Sequence, residues 1–309
     1  MTIQEAKKFI IQKIEGSSKS AALDAGVLLQ ALLNKDKTFV LLNRDFELTA
    51  EQEARLVEWT AARAQGLPVA YITGKKEFYG LEFFVDKSTL IPKADTEILV
   101  ARAVEIISER VWLNPNSILT VCDMCAGSGC VAISVIRALL DDERVPLDRL
   151  PKFALADISA AALNLAQKNA RALLSPQELE RVKFIQSNLF EVIPLSYDVI
   201  LSNPPYIPHG QARELLSDGR GEPLLALDGD INEVGDFSGT DDGLAVFRRL
   251  ALEAQAHLNR GGDFLCETGE YNADAAAAFL RANGFKDVEI ELDLEGQKRV
   301  VCAQAPRLK

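Results

Sequence analysis

Asn203, Pro204, Pro205 and Tyr206 form the most chemically specific run in the chain. Two successive prolines fix φ near about −65° and remove two backbone donors, so the segment offers carbonyl acceptors without competing N–H groups. The Asn203 side chain adds another acceptor, and Tyr206 adds an aromatic face. Such a site suits a planar substrate carrying an NH2 group. In isolation such a run is usually no more than a strand stopped by a Pro-Pro turn, so its surroundings decide. Upstream, Cys125, Ala126, Gly127, Ser128 and Gly129 follow an apolar run that ends in Asp123. Glycines there let the backbone approach a ligand and open a helix whose first amides can face it, although a tight strand-to-helix turn needs glycine for steric reasons alone. Asp157 lies 34 positions beyond Asp123, where an acidic residue can accept hydrogen bonds from ribose hydroxyls. The competing use of the same carboxylate is to cap a helix starting near Ser159. Ser187, Asn188, Leu189 and Phe190, a polar pair before an apolar pair, could bracket an adenine ring.

These runs need elements that bring them to one place. Residues 118–123, 153–157, 182–186 and 197–201 are predicted as short apolar strands, each of the four runs above following one of them. Helices are expected over 131–140, from Ser159 through Ala170, over 244–258 and over 273–282, with a further strand at 261–267. Residues 288–292 and 299–303, separated by Gly296, read as an antiparallel pair. Short buried strands alternating with helices imply a doubly wound, mostly parallel α/β sheet, in which ligands sit beyond the C-terminal strand ends. Before it, Ile3, Ala6, Ile10 and Ile14, then Leu23, Val27, Leu28, Ala31 and Leu32, then Ala54, Val57 and Ala61 recur at helical spacing and predict a small helical bundle. Thr49 with Glu51, Gln52 and Glu53 marks a helix start, and Gly66, Leu67 and Pro68 mark a stop. Residues 77–86 (EFYGLEFFVD) read as a hairpin around Gly80, and 94–111 as a helix. The expected organisation is therefore a helical domain over 1–72, a β-hairpin linker over 73–92 and an α/β domain over 93–309.

The net charge of the 309-residue chain is −11. Residues 1–92 hold 12 basic and 12 acidic side chains, leaving 22 against 33 for 93–309, so the whole excess falls in the α/β part. Binding to nucleic acid by general attraction rests on Lys and Arg neutralising phosphates, and this balance opposes it. Five cysteines, with Cys122, Cys125 and Cys130 crowded into one apolar stretch, argue against a disulfide framework and for a reducing, cytoplasmic setting. Cys122 and Cys125 have no second pair or clustered His, so no metal is expected. No apolar run reaches the roughly 18 residues of a membrane span. Residues 208–243, with few apolar side chains, alternate Gly229, Gly235, Gly239 and Gly243 with Asp230, Asp236, Asp241 and Asp242. They are expected to form a long loop covering the site, with disorder over 230–240 as the competing reading; the Asp spacing is not that of a calcium loop.

Together these motifs resemble the family of S-adenosylmethionine-dependent enzymes that methylate glutamine in peptide chain release factors. Beyond Asn203 to Tyr206, the resemblance rests on 68–74 (PVAYITG), 77–79, 90–100 (LIPKADTEILV), 222–229 (EPLLALDG) and 261–269, and it spans nearly the whole chain. It implies a Rossmann-like class I methyltransferase domain with a mostly parallel seven-stranded sheet, behind a helical domain that recognises the protein substrate. It implies S-adenosylmethionine as cofactor, S-adenosylhomocysteine as product and transfer to the N5 atom of a glutamine in a GGQ-type loop. Cys125, Ala126, Gly127, Ser128, Gly129, Asp157, Asn188, Leu189 and Asn203 would contact the cofactor. Asn203, Pro204, Pro205 and Tyr206 would receive the glutamine amide, with Asn203, Pro204 and Tyr206 acting in the reaction. The partner is then a release factor, with no direct nucleic acid, no membrane and a monomeric enzyme expected. The chain departs from the family pattern at Cys125, where glycine is usual, at Asn188, where an acid is usual, and at Lys93, commonly arginine. The Cys125 to Cys130 turn is also similar to that of related enzymes acting on a ribosomal protein. An adenine-N6 DNA methyltransferase would present the same NH2 chemistry but is opposed by the charge split. A non-catalytic nucleoside-binding protein would not require Asn203 to Tyr206. No general base is expected: His209 is placed on a loop surface, and His257 in a helix.

Overall fold

The computed structural model describes residues 1–141, 145–194, 196–216, 221–232 and 234–305. Its chain divides into two compact units, Met1–Lys75 with Glu214–Gly221, and Lys76–Arg213 with Glu222–Lys309. The first is helical: α1 (Ile3–Ile14), α2 (Ala21–Leu33), α3 (Lys37–Leu42), α4 (Ala50–Ala64) and α5 (Val69–Thr73). Reciprocal capping boxes open α1 at Thr2 and Glu5 and α4 at Thr49 and Gln52, satisfying amides that a helix start otherwise leaves unpaired. Ile3, Ala6, Ile10 and Ile14 form the buried stripe of α1, as their spacing predicts. The other two faces differ from expectation. In α2 the inward residues are Ala25, Leu28 and Leu29, while Leu23 is 65% exposed. In α4 they are Leu56 and Thr60, and Val57 is 48% exposed. The reason lies in what the opposite stripe carries. Leu56 and Trp59 offer more apolar area than two alanines and a valine, and the same side of α4 brings Arg63 within 2.7 Å of the buried Asp24 carboxylate.

In the second unit, β1 (Lys75–Phe78) and β2 (Leu81–Phe84) form the hairpin. Tyr79 and Gly80 make its two-residue turn with φ of 50° and 73°, the mirror-image turn whose twist suits adjoining strands. Then follow α6 (Glu97–Leu113), β3 (Thr120–Met124), α7 (Cys130–Asp141), β4 (Lys152–Asp157), α8 (Ala160–Leu173), α9 (Pro176–Leu179), β5 (Val182–Gln186) and β6 (Tyr197–Ser202). The chain continues through α10 (His209–Leu216), α11 (Ala245–His257), β7 (Leu258–Glu267), α12 (Ala273–Ala282), β8 (Lys286–Leu292) and β9 (Lys298–Gln304). Among the described residues the main sheet has seven strands in the order β5-β4-β3-β6-β7-β9-β8. β3 to β7 run parallel, and β9 lies antiparallel between β7 and β8.

The central parallel strands β3, β4 and β6 are buried on both faces, as parallel strands under helices must be. Val121, Phe153 and Leu155 pack on the side of α6, α7 and α8, whereas Cys122, Met124, Ala154 and Ala156 pack on the side of α11 and α12. Asn169 on α8 ties the hairpin to this layer. Its side chain pairs with both the N–H and the carbonyl of Phe84, at 2.8 and 3.0 Å, and also donates to Ser128 O at 2.9 Å.

The segment after Tyr206 is more ordered than its composition suggests. It holds α10 and a 3-10 turn at Leu224–Ala226, and it buries Asp228 and Asp230 completely; residues 217–220 and 233 lie outside the described residues. The aspartates organise it from within. Asp230 accepts from Gly243 N at 2.7 Å, from the Thr240 hydroxyl and from His209 N, and Asp228 accepts from Asp230 N.

Candidate active site

Parallel register brings the C-terminal strand ends level, with Met124 beside Ala156 on one side and Ser202 on the other, and Asp157 beside Gln186. Beyond them lies a cavity of about 310 Å³, at the lower end of the range for small-ligand sites. Cys125, Ala126, Gly127, Ser128, Asp157, Asn188, Leu189, Asn203 and Pro205 all line it. Gly129, Pro204 and Tyr206 are not among its lining residues. Gly129 instead lies under Ile133, Leu155 and Ala166, where a Cβ would come within 3.1–3.2 Å of them, so its place is helix-to-sheet packing.

Both carboxylate oxygens of Asp157 are engaged by backbone amides at the rim of the cavity. Oδ2 accepts from Gly127 N at 2.8 Å, holding the glycine turn, and Oδ1 accepts from Ser159 N at 2.9 Å. The cap of α8 is the Ser159 hydroxyl itself, which accepts from Ala162 N. Burial raises the Asp157 pKa while these backbone amides oppose the shift. Cys125 and Leu189 adopt φ of 60° and 47°, a left-handed conformation that costs non-glycine residues energy and clusters at functional sites. The Cys125 thiol is pushed up to about 12 by burial and the Asp157 charge, so it is a neutral wall, not a nucleophile.

Asn203 donates through Nδ2 to Thr96 Oγ1 at 3.0 Å. Tyr206 donates its hydroxyl to Glu267 Oε1 at 3.1 Å, and its carbonyl accepts from Asn272 Nδ2 and the Tyr271 hydroxyl. Gly229 and Gly243 come against the Tyr206 backbone so closely that a Cβ on either would collide; for Gly229 it would stand 2.8 Å from Tyr206 Cα. His209, expected on a loop surface, opens α10 with Nδ1 2.6 Å from Asp228 Oδ2 and its ring 4.4 Å from that of Phe237. The buried aspartate draws it inward. His257 stacks on Phe190 at 4.6 Å.

Several cavity residues escaped the sequence reading. Asp123 is buried, accepts from Ala132 N and has its carboxyl pushed up to about 7 by burial. Behind the cavity and not among its lining residues, Glu267 is likewise pushed up to about 7 by burial, against the Thr96 and Tyr206 hydroxyls and Arg299. Thr96 and Arg249 also line the cavity. Among the described residues its two lining cations are both engaged, Lys93 with Glu222 at 2.8 Å and Arg249 with Asn188 Oδ1 at 3.3 Å. An acid at a strand end, as at Asp123 and Glu267, is the signal that could have found two of these. Among the described residues no group of His, Cys, Asp and Glu could hold a metal ion, and no helix is long and apolar enough to cross a membrane.

The sheet order and the cavity at its parallel strand ends are those of a Rossmann-like class I methyltransferase. The solved hMettl16 catalytic domain in complex with MAT2A 3'UTR hairpin 6 shares this fold, at a TM-score of 0.51 and 15% identity over 90% of this chain and 92% of that one. Residues 4–74 match the PrmC N-terminal domain and 111–218 the methyltransferase small domain. The release factor glutamine methyltransferase of Neisseria gonorrhoeae is 36% identical over 94% of this chain and 95% of its own. That of Burkholderia pseudomallei is 34% identical over 92% of each. The chain belongs to the release factor glutamine methyltransferase family.

Proposed function

We propose that this protein transfers a methyl group from S-adenosylmethionine to the side-chain N5 of a glutamine in a peptide chain release factor. The observation that carries the reading is the Thr96 to Asn203 hydrogen bond: Asn203 lines the cavity, and with Nδ2 given to Thr96 its amide oxygen is the group left to accept from a substrate NH2 group. The cavity suits a cationic nucleoside. Two carboxyls, the buried Asp123 and the half-buried Asp157, line it, whereas its cations Lys93 and Arg249 are already paired and poorly placed to attract phosphate.

When bound, the cofactor supplies an electrophilic sulfonium methyl group. An amide nitrogen is a weak nucleophile because its lone pair is delocalised into the carbonyl. Asn203 Oδ1 and the Pro204 carbonyl would accept its two N–H bonds and fix the direction in which the nitrogen faces. Positioning of this kind is worth several kcal/mol, roughly 7–11 at its limit, without a general base. The same oxygens stabilise positive character developing on nitrogen. Asp157, Asn188, Leu189 and the Cys125 to Ser128 turn would hold the cofactor. The helical unit would contact the release factor, and the protein would act as a monomer.

Incubation with S-adenosylmethionine and, separately, a release factor, a ribosomal protein and DNA, followed by mass analysis, tests the reading. One added methyl group on a release factor glutamine is the expected result. Methylation of the ribosomal protein or of adenine in its place would overturn it.

A further inference from the structure

Asn272 stands where the chain turns from β7 into α12 and is the N-cap residue of that helix. Asparagine at such a position ordinarily turns its side-chain oxygen back to a free amide of the first turn. Here no side-chain cap bond forms, and the buried Oδ1 has no hydrogen-bond partner among the described residues. The residue is 4% exposed. Both features count against stability, since a helix start goes uncapped by its own side chain and a buried acceptor goes unmet.

The side chain instead reaches across to two main-chain carbonyls. Nδ2 donates to Tyr206 O at 3.0 Å and to Asp242 O at 3.3 Å. An amide end that faces two carbonyl oxygens must be the nitrogen, because its oxygen cannot donate. Tyr206 closes the run that begins at Asn203, whose own amide is given to Thr96 Oγ1. Asp242 precedes Gly243, where an added Cβ would collide with Tyr206 O. The run is thus held at both ends by side chains that do not belong to it. The second donor to the Tyr206 carbonyl, the Tyr271 hydroxyl, comes from a residue 53% exposed.

We propose that Asn272 is a positioning residue: it gives up the cap of α12 to fix the Tyr206 end of the run, and with it the Pro204 carbonyl that meets the glutamine amide. This rests on the glutamine-amide reading above. Two prolines lie between the held ends, and their fixed φ leaves little room to absorb a shift. A displacement at Tyr206 is therefore passed on to Pro204. Local stability given up by a residue that breaks its own positional preference is what service to a site looks like.

Asn272→Ser tests this because it moves fold and site in opposite directions. It offers α12 a cap and removes the unmet acceptor, but it is too short to hold the Tyr206 carbonyl. Tm should equal or exceed that of wild type, and cofactor affinity and KM for the release factor should change little. The kcat should fall between about tenfold and 10²-fold, as expected when reacting groups are misplaced without loss of ground-state binding. Asn272→Asp keeps the shape, can also cap, and sets an acceptor against both carbonyls. It should lose at least as much kcat, and it carries the test if Asn272→Ser does not fold. With wild type active, an unchanged kcat in either folded variant overturns the inference alone. So does a kcat loss in Asn272→Ser that is matched by falls in Tm and cofactor affinity, which would make the side chain a support of the fold. A wild type that leaves the release factor unmethylated removes the functional reading, and this inference with it.

Discussion

At the scale of single residues, the site depends on side chains whose orientation is imposed by neighbours that touch no substrate. Asn203→Ala removes the proposed amide acceptor, and kcat should fall about 10²-fold or more, in the range seen when one preorganised polar partner is lost. Cofactor affinity, measured by titration calorimetry, should stay within a few-fold of wild type; near-normal turnover would contradict the role. Tyr206 is a sharper case than its ring suggests. The sequence points to an aromatic face, whereas the hydroxyl is bonded to buried Glu267. Tyr206→Phe should therefore cost about 1–3 kcal/mol of stability in urea unfolding by leaving a buried acceptor unmet, and Tyr206→Ala should lose more activity than Tyr206→Phe. The place of Asn203 at the cavity was legible because its run follows a strand end, whereas Tyr206 does not line the cavity. Thr96 and Glu267 were not legible, because their meaning comes only from residues 107 and 61 positions away in the chain.

At the scale of elements, parallel strand ends held level by register create the cavity, and short polar clamps keep the turns above it in place. Asn169 is such a clamp, joining β2 to the Ser128 carbonyl of the glycine turn. Asn169→Ala should cost about 2–4 kcal/mol, since it strands buried backbone groups on two elements, and should weaken cofactor binding at the same time. A stability loss with unchanged cofactor affinity would separate the hairpin from the turn. The sheet elements were readable from their apolar runs and the polar residues that end them. The inward faces of α2 and α4 were not. Alanine and valine at helical spacing carry little burial energy, and the choice fell to Leu56, Trp59 and the Arg63 to Asp24 pair, which only folding brings together. In the aspartate-rich stretch the sequence pointed to a cover for the site, and Ile231, Asn232 and Gly235 line the cavity, but the burial of Asp228 and Asp230 shows only once their backbone partners are known.

At the scale of the whole molecule, the catalytic unit carries the acidic excess and also buries acids at its centre. Asp123 and Glu267 are both raised to about 7 from ordinary values of 3.8 and 4.5. A raised carboxyl favours the protonated form in the fold, so its stabilising effect is full below the unfolded pKa and is lost as pH rises through about 7. At 1.36 kcal/mol per pKa unit, each contributes a change of roughly 3–4 kcal/mol between about pH 4 and pH 8. Asp242 and Asp293, held below the usual range by Arg248 and by the Gln297 amide respectively, work in the opposite sense at more acidic pH. Urea unfolding across this range should show Asp123→Asn and Glu267→Gln each flattening the decline; curves parallel to wild type would mean these acids are ionised throughout. The seam between Gly229, Gly243 and the Tyr206 backbone carries its own consequence at this scale. In a saturation library selected for methyl transfer, both glycines should tolerate as little variation as Asn203, although neither offers a functional group. Gly235, whose added Cβ would meet nothing within 4 Å, should accept asparagine. The pattern of forbidden substitutions would then trace where two stretches of main chain lie in contact, and heredity would guard the absence of an atom as strictly as the presence of one.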